Sequence, residues 1–180
     1  EETAAEWMTQ LLGLAPNSGI GFTSGAQEAI YTSLITARNA LLQRAGWDVA
    51  VQGMYGAPRI NVVVSDQIHS TIKRALSMIG IGLENIVKVP TDNNLRIIPD
   101  NLMETITALE GPTLVCAQAG CIDSGAFDPF HALADAVAAH GNAWLHVDGA
   151  IGLWAAASAT HRYLLDGIER VDSIDTDGHK

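Results

Sequence analysis

Two side chains suited to covalent chemistry each follow a segment typical of a buried strand. Asp148 ends the run AWLHVD and is followed by Gly149 and Ala150, and Lys180 comes after a further strand-like segment. Taken alone, Asp148 is explained as well by a structural role, as a helix cap or a salt-bridge partner, as by a chemical role. Its alternative role is to pair with a protonated ring nitrogen, because a carboxylate within hydrogen-bonding reach favours the charged form of that nitrogen.

Lys180 provides the primary amine that a Schiff base requires. Such an amine must lie at a fixed distance from its partner ring and must be able to lose its charge. A lysine in isolation is most often a solvated side chain. The strand-end carboxylate Asp148 upstream, with one strand-like segment between the two residues, favours the chemical role.

Two further segments could bind other parts of the same ligand. The turn TSGAQ at residues 23–27 precedes a helical pattern, and its small residues let backbone N–H groups and the helix dipole reach a phosphate. Many strand-to-helix turns look like this one, so the pattern is weak alone. His69 follows a buried strand. It could cap the strand end, be a buried histidine whose ring nitrogens are hydrogen-bonded within the chain, or stack its ring on a planar ligand.

The elements that must position these residues follow from the hydrophobic pattern. Unbroken β-branched and apolar runs typical of buried strands alternate with amphipathic helical segments. We predict strands over residues 60–64, 86–89, 113–117, 143–147 and 171–174, and helices over residues 3–12, 24–45, 70–79, 99–110 and 130–139. This alternation indicates an α/β fold, a mostly parallel sheet with helices on both faces and right-handed crossovers.

Ligands bind beyond the carboxyl ends of the strands in open α/β sheets. The polar residues named above occur at such positions. They comprise residues 24–26 after the short apolar run 20–23, His69, residues 118–121, Asp148, and residues 179–180. We therefore expect five loops to converge on one rim, as a single large ligand requires.

Composition restricts the class of protein. The chain has 180 residues, of which 48% are hydrophobic and 17% are charged. This composition predicts one globular domain with a hydrophobic core. The net charge of −10 argues against nucleic-acid binding. No apolar run approaches ~20 residues, so we expect no membrane span. Cys116 and Cys121 fit a reducing compartment better than a disulfide. From the acidic first residues we expect no signal peptide within this segment, which leaves a targeting segment upstream open.

Five ordered segments resemble the group II pyridoxal-dependent decarboxylases, which include aromatic-amino-acid, histidine, tyrosine and glutamate decarboxylases. They are TSGAQEA (23–29), VSDQIHS (64–70), GAFDP (125–129), HVDGA (146–150) and the stretch from residue 172 to the pair HK at 179–180. The resemblance covers nearly the whole chain. It implies that residues 1–180 form a fold type I (aspartate aminotransferase-like) large domain, with an N-terminal arm and a C-terminal small domain lying outside them.

The resemblance also implies the cofactor pyridoxal 5′-phosphate, no metal, and three catalytic residues. Lys180 would form the internal aldimine with the cofactor. Asp148 would pair with the pyridine nitrogen, and His69 would stack on one face of the ring.

Five more positions are implied to contact the cofactor. Gly25, Ala26 and Gln27 would bind the phosphate, with His179 helping. Ala150 would pack against the ring on the side opposite the stacked histidine.

The chain departs from the family pattern at three places. Many relatives have Thr or Ser where Gln27 stands, so the phosphate contact here would use the side-chain amide and the backbone. Residues 118–121 (QAGC) stand where aromatic decarboxylases often have a threonine-rich loop, which argues against a close match to that branch. Asp177 occupies a site that is Asn in some members, where it could repel a phosphate unless it points away.

The resemblance implies decarboxylation of an L-amino acid to the amine and CO2, by a cytoplasmic homodimer with its active site at the subunit interface. Two alternatives stay open. Aminotransferases and carbon–carbon lyases share the fold and cofactor motifs, and a keto acid product would distinguish an aminotransferase. A non-catalytic α/β binding domain is the second alternative, and the joint presence of Lys180, Asp148 and His69 argues against it.

Overall fold

The structure is a computed structural model that describes residues 1–180. Its strands are β1 (Asn61–Ser65), β2 (Ile86–Val89), β3 (Thr113–Gln118), β4 (Ala143–Asp148) and β5 (Ser173–Asp175). Its α-helices are α1 (Glu2–Leu12), α2 (Ala26–Arg44), α3 (Val49–Gln52), α4 (Ser70–Met78), α5 (Pro99–Thr107) and α6 (Phe130–His140). Three short 3-10 helices connect β4 to β5, at Leu153–Ala157, Arg162–Leu165 and Ile168–Arg170.

The five strands form one sheet in the order β2-β1-β3-β4-β5, and every neighbouring pair is parallel. The predicted α/β class with a mostly parallel sheet is therefore confirmed. The chain moves outward from β1 to β2 and then returns to the other side of β1 to form β3. This reversal of strand order is the position where open α/β sheets bind ligands.

Helices cover both faces of the sheet, as predicted. Along β1, Val62 and Val64 belong to the core beneath α2 and α4, whereas Val63 belongs to the core beneath α5 and α6. Side chains of a strand alternate between its two faces, so a strand covered on both sides must be apolar at every position. This explains why the run INVVV predicts a buried strand without an alternating pattern.

Some predicted boundaries are wrong by a few residues. Helix α5 ends at Thr107 and not near residue 110. The N–H of Leu109 donates to the carbonyl of Ile106, three residues back, so the last turn tightens and the α-helical ladder ends before it. Strand β5 starts at Ser173 because Val171 still donates to the carbonyl of Ile168 in the preceding 3-10 turn.

The start of the first long helix also differs from the prediction. Helix α2 begins at Ala26, because the N–H of Ser24 donates to the side chain of Glu28. Residues 20–23 form no strand. Helix α3 and the three 3-10 helices have no counterpart in the prediction, because segments this short leave little periodic signal.

Both cysteines, Cys116 and Cys121, are free and buried. None of the helices combines the length and the apolar character needed to cross a bilayer.

Gly152 is where the connection after β4 packs most tightly on the end of β3. Its N–H donates to the carbonyl of Ala119 at 2.9 Å, and an added Cβ would overlap that carbonyl and approach Phe127 Cζ to 2.7 Å. Because the obstacle is backbone, the contact cannot relax by a side-chain rotation.

We expect Gly152→Ala to lower the free energy of unfolding by about 2 kcal/mol, the usual cost of overpacking. Urea unfolding followed by circular dichroism measures this. Gly21→Ala is the matched control, since an added Cβ there meets nothing within 4 Å. Equal stability of the two variants would contradict the close packing described.

Candidate active site

A cleft opens at the carboxyl ends of the strands, and each of the five expected loops contributes to its lining. The lining residues are Ala26 and Ile30 from α2, His69 and Thr71 after β1, Gln118, Gly120 and Ile122 after β3, Asp148, Ala150 and Ile151 after β4, and Lys180 after β5. Four of these loops follow β1, β3, β4 and β5, whose carboxyl ends meet at one edge of the parallel sheet, and the fifth is the start of α2.

Asp148 is half-buried and stands in the middle of this edge. Its Oδ1 accepts the N–H of Ala150 at 3.1 Å, and its Oδ2 has no hydrogen-bond partner within the chain. Its main-chain carbonyl accepts the N–H of Ala119 at 2.8 Å. The carboxylate is thus fixed through one oxygen and free to accept a hydrogen bond through the other.

His69 both caps helix α4 and lines the cleft. Its Nδ1 accepts the N–H of Thr71 at 3.4 Å and lies 2.7 Å from the hydroxyl of the same residue. The capping role and the ligand-facing role, which appear as alternatives in the sequence, are therefore compatible. The two contacts to Thr71 limit rotation of the ring and present it to the cleft in one orientation.

Lys180 reaches the same cleft, and Asp177 accompanies it. The Lys180 Nζ lies 3.9 Å from Asp177 Oδ2, and the lysine side chain is 47% exposed. Asp177 Oδ1 accepts the N–H of His179 at 2.8 Å. Asp177 is therefore directed toward the chain end and the amine. An ion pair this exposed is weak, so the amine can readily exchange it for another partner.

The N-terminus of α2 presents backbone donors without acceptors. The N–H groups of Gly25, Ala26 and Gln27 have no acceptor within the chain, while Glu28 and Ala29 donate to the carbonyl of Gly25. The first N–H groups of a helix are free in this way, and together with the helix dipole they attract anions.

Three of the eight candidate residues do not line the cleft itself. Gly25 and Gln27 line a shallower depression beside it. The Gln27 amide is turned toward α4, where it lies 3.4 Å from the Thr71 carbonyl and 3.4 Å from an Arg74 nitrogen. His179 is exposed and lines neither region. The structure thus brings Ala26, His69, Asp148, Ala150 and Lys180 into one cleft.

A carboxylate also stands at the start of α2. Glu28 Oε2 accepts the N–H of Ser24 at 2.8 Å and its hydroxyl at 2.6 Å. These hydrogen bonds hold the pKa of Glu28 below its usual value, so the group is ionised at neutral pH. An anion bound at this helix end would share the site with that negative charge.

Two buried polar side chains beside Asp148, His146 and Asp175, are not among the predicted site residues. His146 Nε2 lies 3.1 Å from Asp175 Oδ1, and both side chains are fully buried. The contact is poorly aligned, and neither oxygen of Asp175 has a well-formed hydrogen bond. On the other side of the ring, His146 Nδ1 lies 3.0 Å from Ser173 Oγ, which also accepts from Trp144 at 2.8 Å.

The period of two along β4 could have placed His146 beside Asp148, but it does not reveal the contact with Asp175. His146 precedes Asp148 by two residues and therefore lies on the same face of the strand. Asp175 is the register partner of Asp148 on β5. Both residues lie within the segments that resemble the family, but neither is among the predicted site residues.

Burial dominates the electrostatics of this group. It raises the pKa of Asp175 above its usual value, His146 opposes the shift, and the negative field of Asp148 adds to it. Burial also raises the pKa of the neighbouring Cys116, with further contributions from Asp148 and Asp175. Cys116 therefore remains a thiol and is no nucleophile at neutral pH.

The family model described as "Pyridoxal-dependent decarboxylase conserved domain" matches residues 1–180. The chain belongs to this family. The fold and the cleft are consistent with that assignment, because the amine, the carboxylate and the imidazole meet where the strands of a parallel sheet end.

Several curated proteins are similar over the whole chain. Acidic amino acid decarboxylase GADL1 of Homo sapiens is 36% identical over 184 residues, which are 34% of that protein. Tryptophan decarboxylase 1 of Oryza sativa subsp. japonica is 37% identical over 197 residues, which are 37% of that protein. The chain therefore spans about a third of the length of these relatives.

Solved structures agree with this assignment. Mouse CSAD in the apo form superposes with a TM-score of 0.87 at 34% identity and covers all of this chain and 38% of its own. Oryza sativa TDC with PLP and tryptamine gives a TM-score of 0.83 at 34% identity, covering 99% of this chain and 38% of its own. The fold is thus fold type I, that of the pyridoxal-phosphate-dependent decarboxylases.

The residues present fit the cofactor of this family. Pyridoxal phosphate carries an anionic group, a ring nitrogen and an aldehyde carbon. The chain offers unpaired backbone donors at the start of α2, a carboxylate oxygen without a partner on Asp148, and an exchangeable amine on Lys180. These three groups belong to the same edge of the sheet.

Because His146 and Asp175 are buried together, we expect replacing one of them to destabilise the fold much more than replacing both. His146→Leu leaves a carboxylate buried without its neighbour, and we expect it to lower the free energy of unfolding by about 3 kcal/mol. His146→Leu with Asp175→Leu removes both polar groups and should recover much of this loss. Denaturant unfolding at neutral pH measures both.

The deficit of the single variant, meaning its loss in free energy of unfolding relative to the wild type, should also depend on pH. Because burial raises the pKa of Asp175 in the folded protein, protonation of this side chain favours the folded state. The deficit of His146→Leu should therefore shrink as the pH falls, and that of the double variant should not. A deficit that grows on acidification would contradict the assigned direction.

Proposed function

We propose that the full-length protein decarboxylates an L-amino acid to the corresponding amine and CO2, with pyridoxal 5′-phosphate as its cofactor. The observation that carries the proposal is the convergence of Lys180, Asp148 and His69 on one cleft within a chain that belongs to the pyridoxal-dependent decarboxylase family. When bound, the cofactor supplies an electron-accepting ring that stabilises negative charge at the α carbon of an amino acid.

The proposed role of Asp148 is to hold a proton on the ring nitrogen. Its Oδ2 is free to accept that hydrogen bond, while the N–H of Ala150 holds Oδ1 in place. A charge fixed before reaction does not have to reorganise as negative charge develops, and such preorganisation is a large part of enzymatic rate enhancement. Asp148 is therefore the main electrostatic contribution of this chain.

Lys180 is proposed to bind the cofactor covalently and to release it to the amino group of the substrate. The weak pairing with Asp177 and the partial exposure of its side chain support this role, because both leave the amine free to change partners. His69 is proposed to stack on one face of the ring, and Ala150 to pack on the other. A ring confined from both sides holds the bond that breaks in a fixed orientation.

The proposed phosphate site is the start of α2. The unpaired N–H groups of Gly25, Ala26 and Gln27 support it. His179 is proposed to assist from the chain segment that carries the lysine. Since Gln27 is engaged with α4, its backbone N–H is the more direct donor.

We further propose that residues 1–180 are the cofactor-binding part of the large domain and that the protein is a cytoplasmic homodimer with its active site at the subunit interface. Large apolar side chains on the surface support a partner subunit, among them Trp7 at 68% and Tyr55 at 99% exposure. The free thiols of Cys116 and Cys121 support a reducing compartment. Light scattering of the full-length protein tests the dimer.

Replacing Asp148 should separate catalysis from folding. We expect Asp148→Asn to lower kcat by at least about 100-fold, because an amide cannot stabilise the proton on the ring nitrogen. The measurement is steady-state kinetics with cofactor occupancy determined in parallel. Asp166→Asn, on an exposed residue outside the cleft, is the control. Full activity of Asp148→Asn with cofactor bound would refute the proposed role.

The reaction type is tested by product analysis of the full-length protein with a panel of L-amino acids. The panel should include acidic and aromatic side chains, because the similar proteins are named for both classes. The proposal predicts an amine and CO2 in equal amounts. A keto acid would indicate an aminotransferase, and a protein that binds no cofactor would support a binding domain.

A further inference from the structure

Asp128 lies in the segment GAFDP, to which the proposed mechanism gives no role. Its side chain is buried, with 6% of the residue exposed, and each oxygen accepts a backbone N–H. Oδ1 accepts from Ile97 and Oδ2 accepts from Gln118, both at 2.7 Å. The Asp128 N–H in turn donates to the carbonyl of Gln118 at 3.1 Å. The carboxylate thus links the loop before α5 to the end of β3.

The link to Gln118 connects Asp128 with the cleft wall. Gln118 lines the cleft, and its side-chain amide lies 3.3 Å from Ser65 Oγ and 3.3 Å from the carbonyl of Gln67. Those contacts join the end of β3 to the loop that carries His69. A displaced Gln118 would therefore disturb both the wall after β3 and the position of the imidazole.

The link to Ile97 holds a loop that is under backbone strain. Leu95 has φ 66, the only positive φ in the chain outside glycine. Such a conformation is strained for a residue with a side chain and persists only where surrounding contacts enforce it. Ser124 Oγ donates to the carbonyl of Asn94 at 2.8 Å, which is a second contact between this loop and the segment of Asp128. The two loops brace each other through the buried carboxylate.

Two acceptor oxygens are required for this arrangement, so it belongs to the ionised form of Asp128. Burial raises its pKa to about 6, and the N–H groups of Ile97 and Gln118 oppose the rise. The charged groups that act on it are Asp92, which raises the pKa, and Arg96, which lowers it. Those two are paired with each other at 2.7 Å, so their fields largely cancel.

We propose that Asp128 is a positioning residue whose carboxylate, by clamping Ile97 and Gln118, holds the wall of the cleft in the shape that binds the cofactor. The proposal rests on the proposed function, because it concerns the same site. Protonation removes one acceptor from the clamp. Cofactor affinity should therefore decline as the pH falls through about 6, in addition to any pH dependence of the cofactor itself.

The test is the dissociation constant of pyridoxal phosphate for the full-length protein and two variants, measured by fluorescence at about pH 7.5 and about pH 5.5 on either side of that pKa. In Asp128→Asn an amide N–H2 faces one of the two backbone donors, so the shape is retained and one hydrogen bond is lost. Asp123→Asn is the matched control, since Asp123 is exposed in the same loop.

We expect Asp128→Asn to bind the cofactor about tenfold more weakly at the higher pH, and to lose less affinity on acidification than the control does. Wild-type affinity in Asp128→Asn, or equal pH dependence in both variants, would overturn the proposal while leaving the decarboxylase function intact.

A measurement without cofactor separates the two proposals and does not require the variant to fold. Hydrogen exchange of the wild-type protein should show protection of the amides of Ile97 and Gln118 above about pH 6 and its loss below, after correction for intrinsic exchange. Constant protection across this range would overturn the clamp. If the protein bound no cofactor but showed the loss of protection, the proposed function and the positioning role would both fail, and only the ionisation-dependent contacts of Asp128 would stand.

Discussion

The parallel register of β3, β4 and β5 is the constraint on which the site depends. Gln118, Asp148 and Asp175 are register partners across these three strands. Partners in a parallel ladder point to the same face, so the three polar side chains form one row at the carboxyl edge. A slip of one residue would turn Asp148 to the opposite face. The apolar pairs below this row, such as Val115 with Leu145, hold the register because both faces are buried.

Burial gives the acids of this row and its surroundings their different properties. Asp148 reaches the cleft and keeps one oxygen free. Asp175, behind it, is fully buried beside His146 without a well-aligned hydrogen bond, and its pKa is raised. Asp128 is also buried, but two short hydrogen bonds from backbone N–H groups limit the rise of its pKa. The same residue type thus serves as a free acceptor, a buried partner and a structural clamp.

Much of the fold could be predicted because its signals are local. The unbroken apolar runs mark strands covered on both faces, and Pro99 and Gly13 mark a helix start and a helix end. The cleft residues could be predicted from their positions after those runs. The relation between His146 and Asp175 could not, because it arises from a pairing of β4 with β5 that no local pattern contains. The role of Asp128 depends likewise on contacts with Ile97, 31 residues away.

The proposed chemistry depends on attachment of the cofactor to the amine of Lys180. The most direct test is borohydride reduction of the full-length protein with pyridoxal phosphate, followed by digestion and mass spectrometry. We expect a near-visible absorption band to disappear on reduction and the cofactor mass to be found on the peptide containing Lys180. Attachment at another lysine, or no attachment and no band, would contradict it.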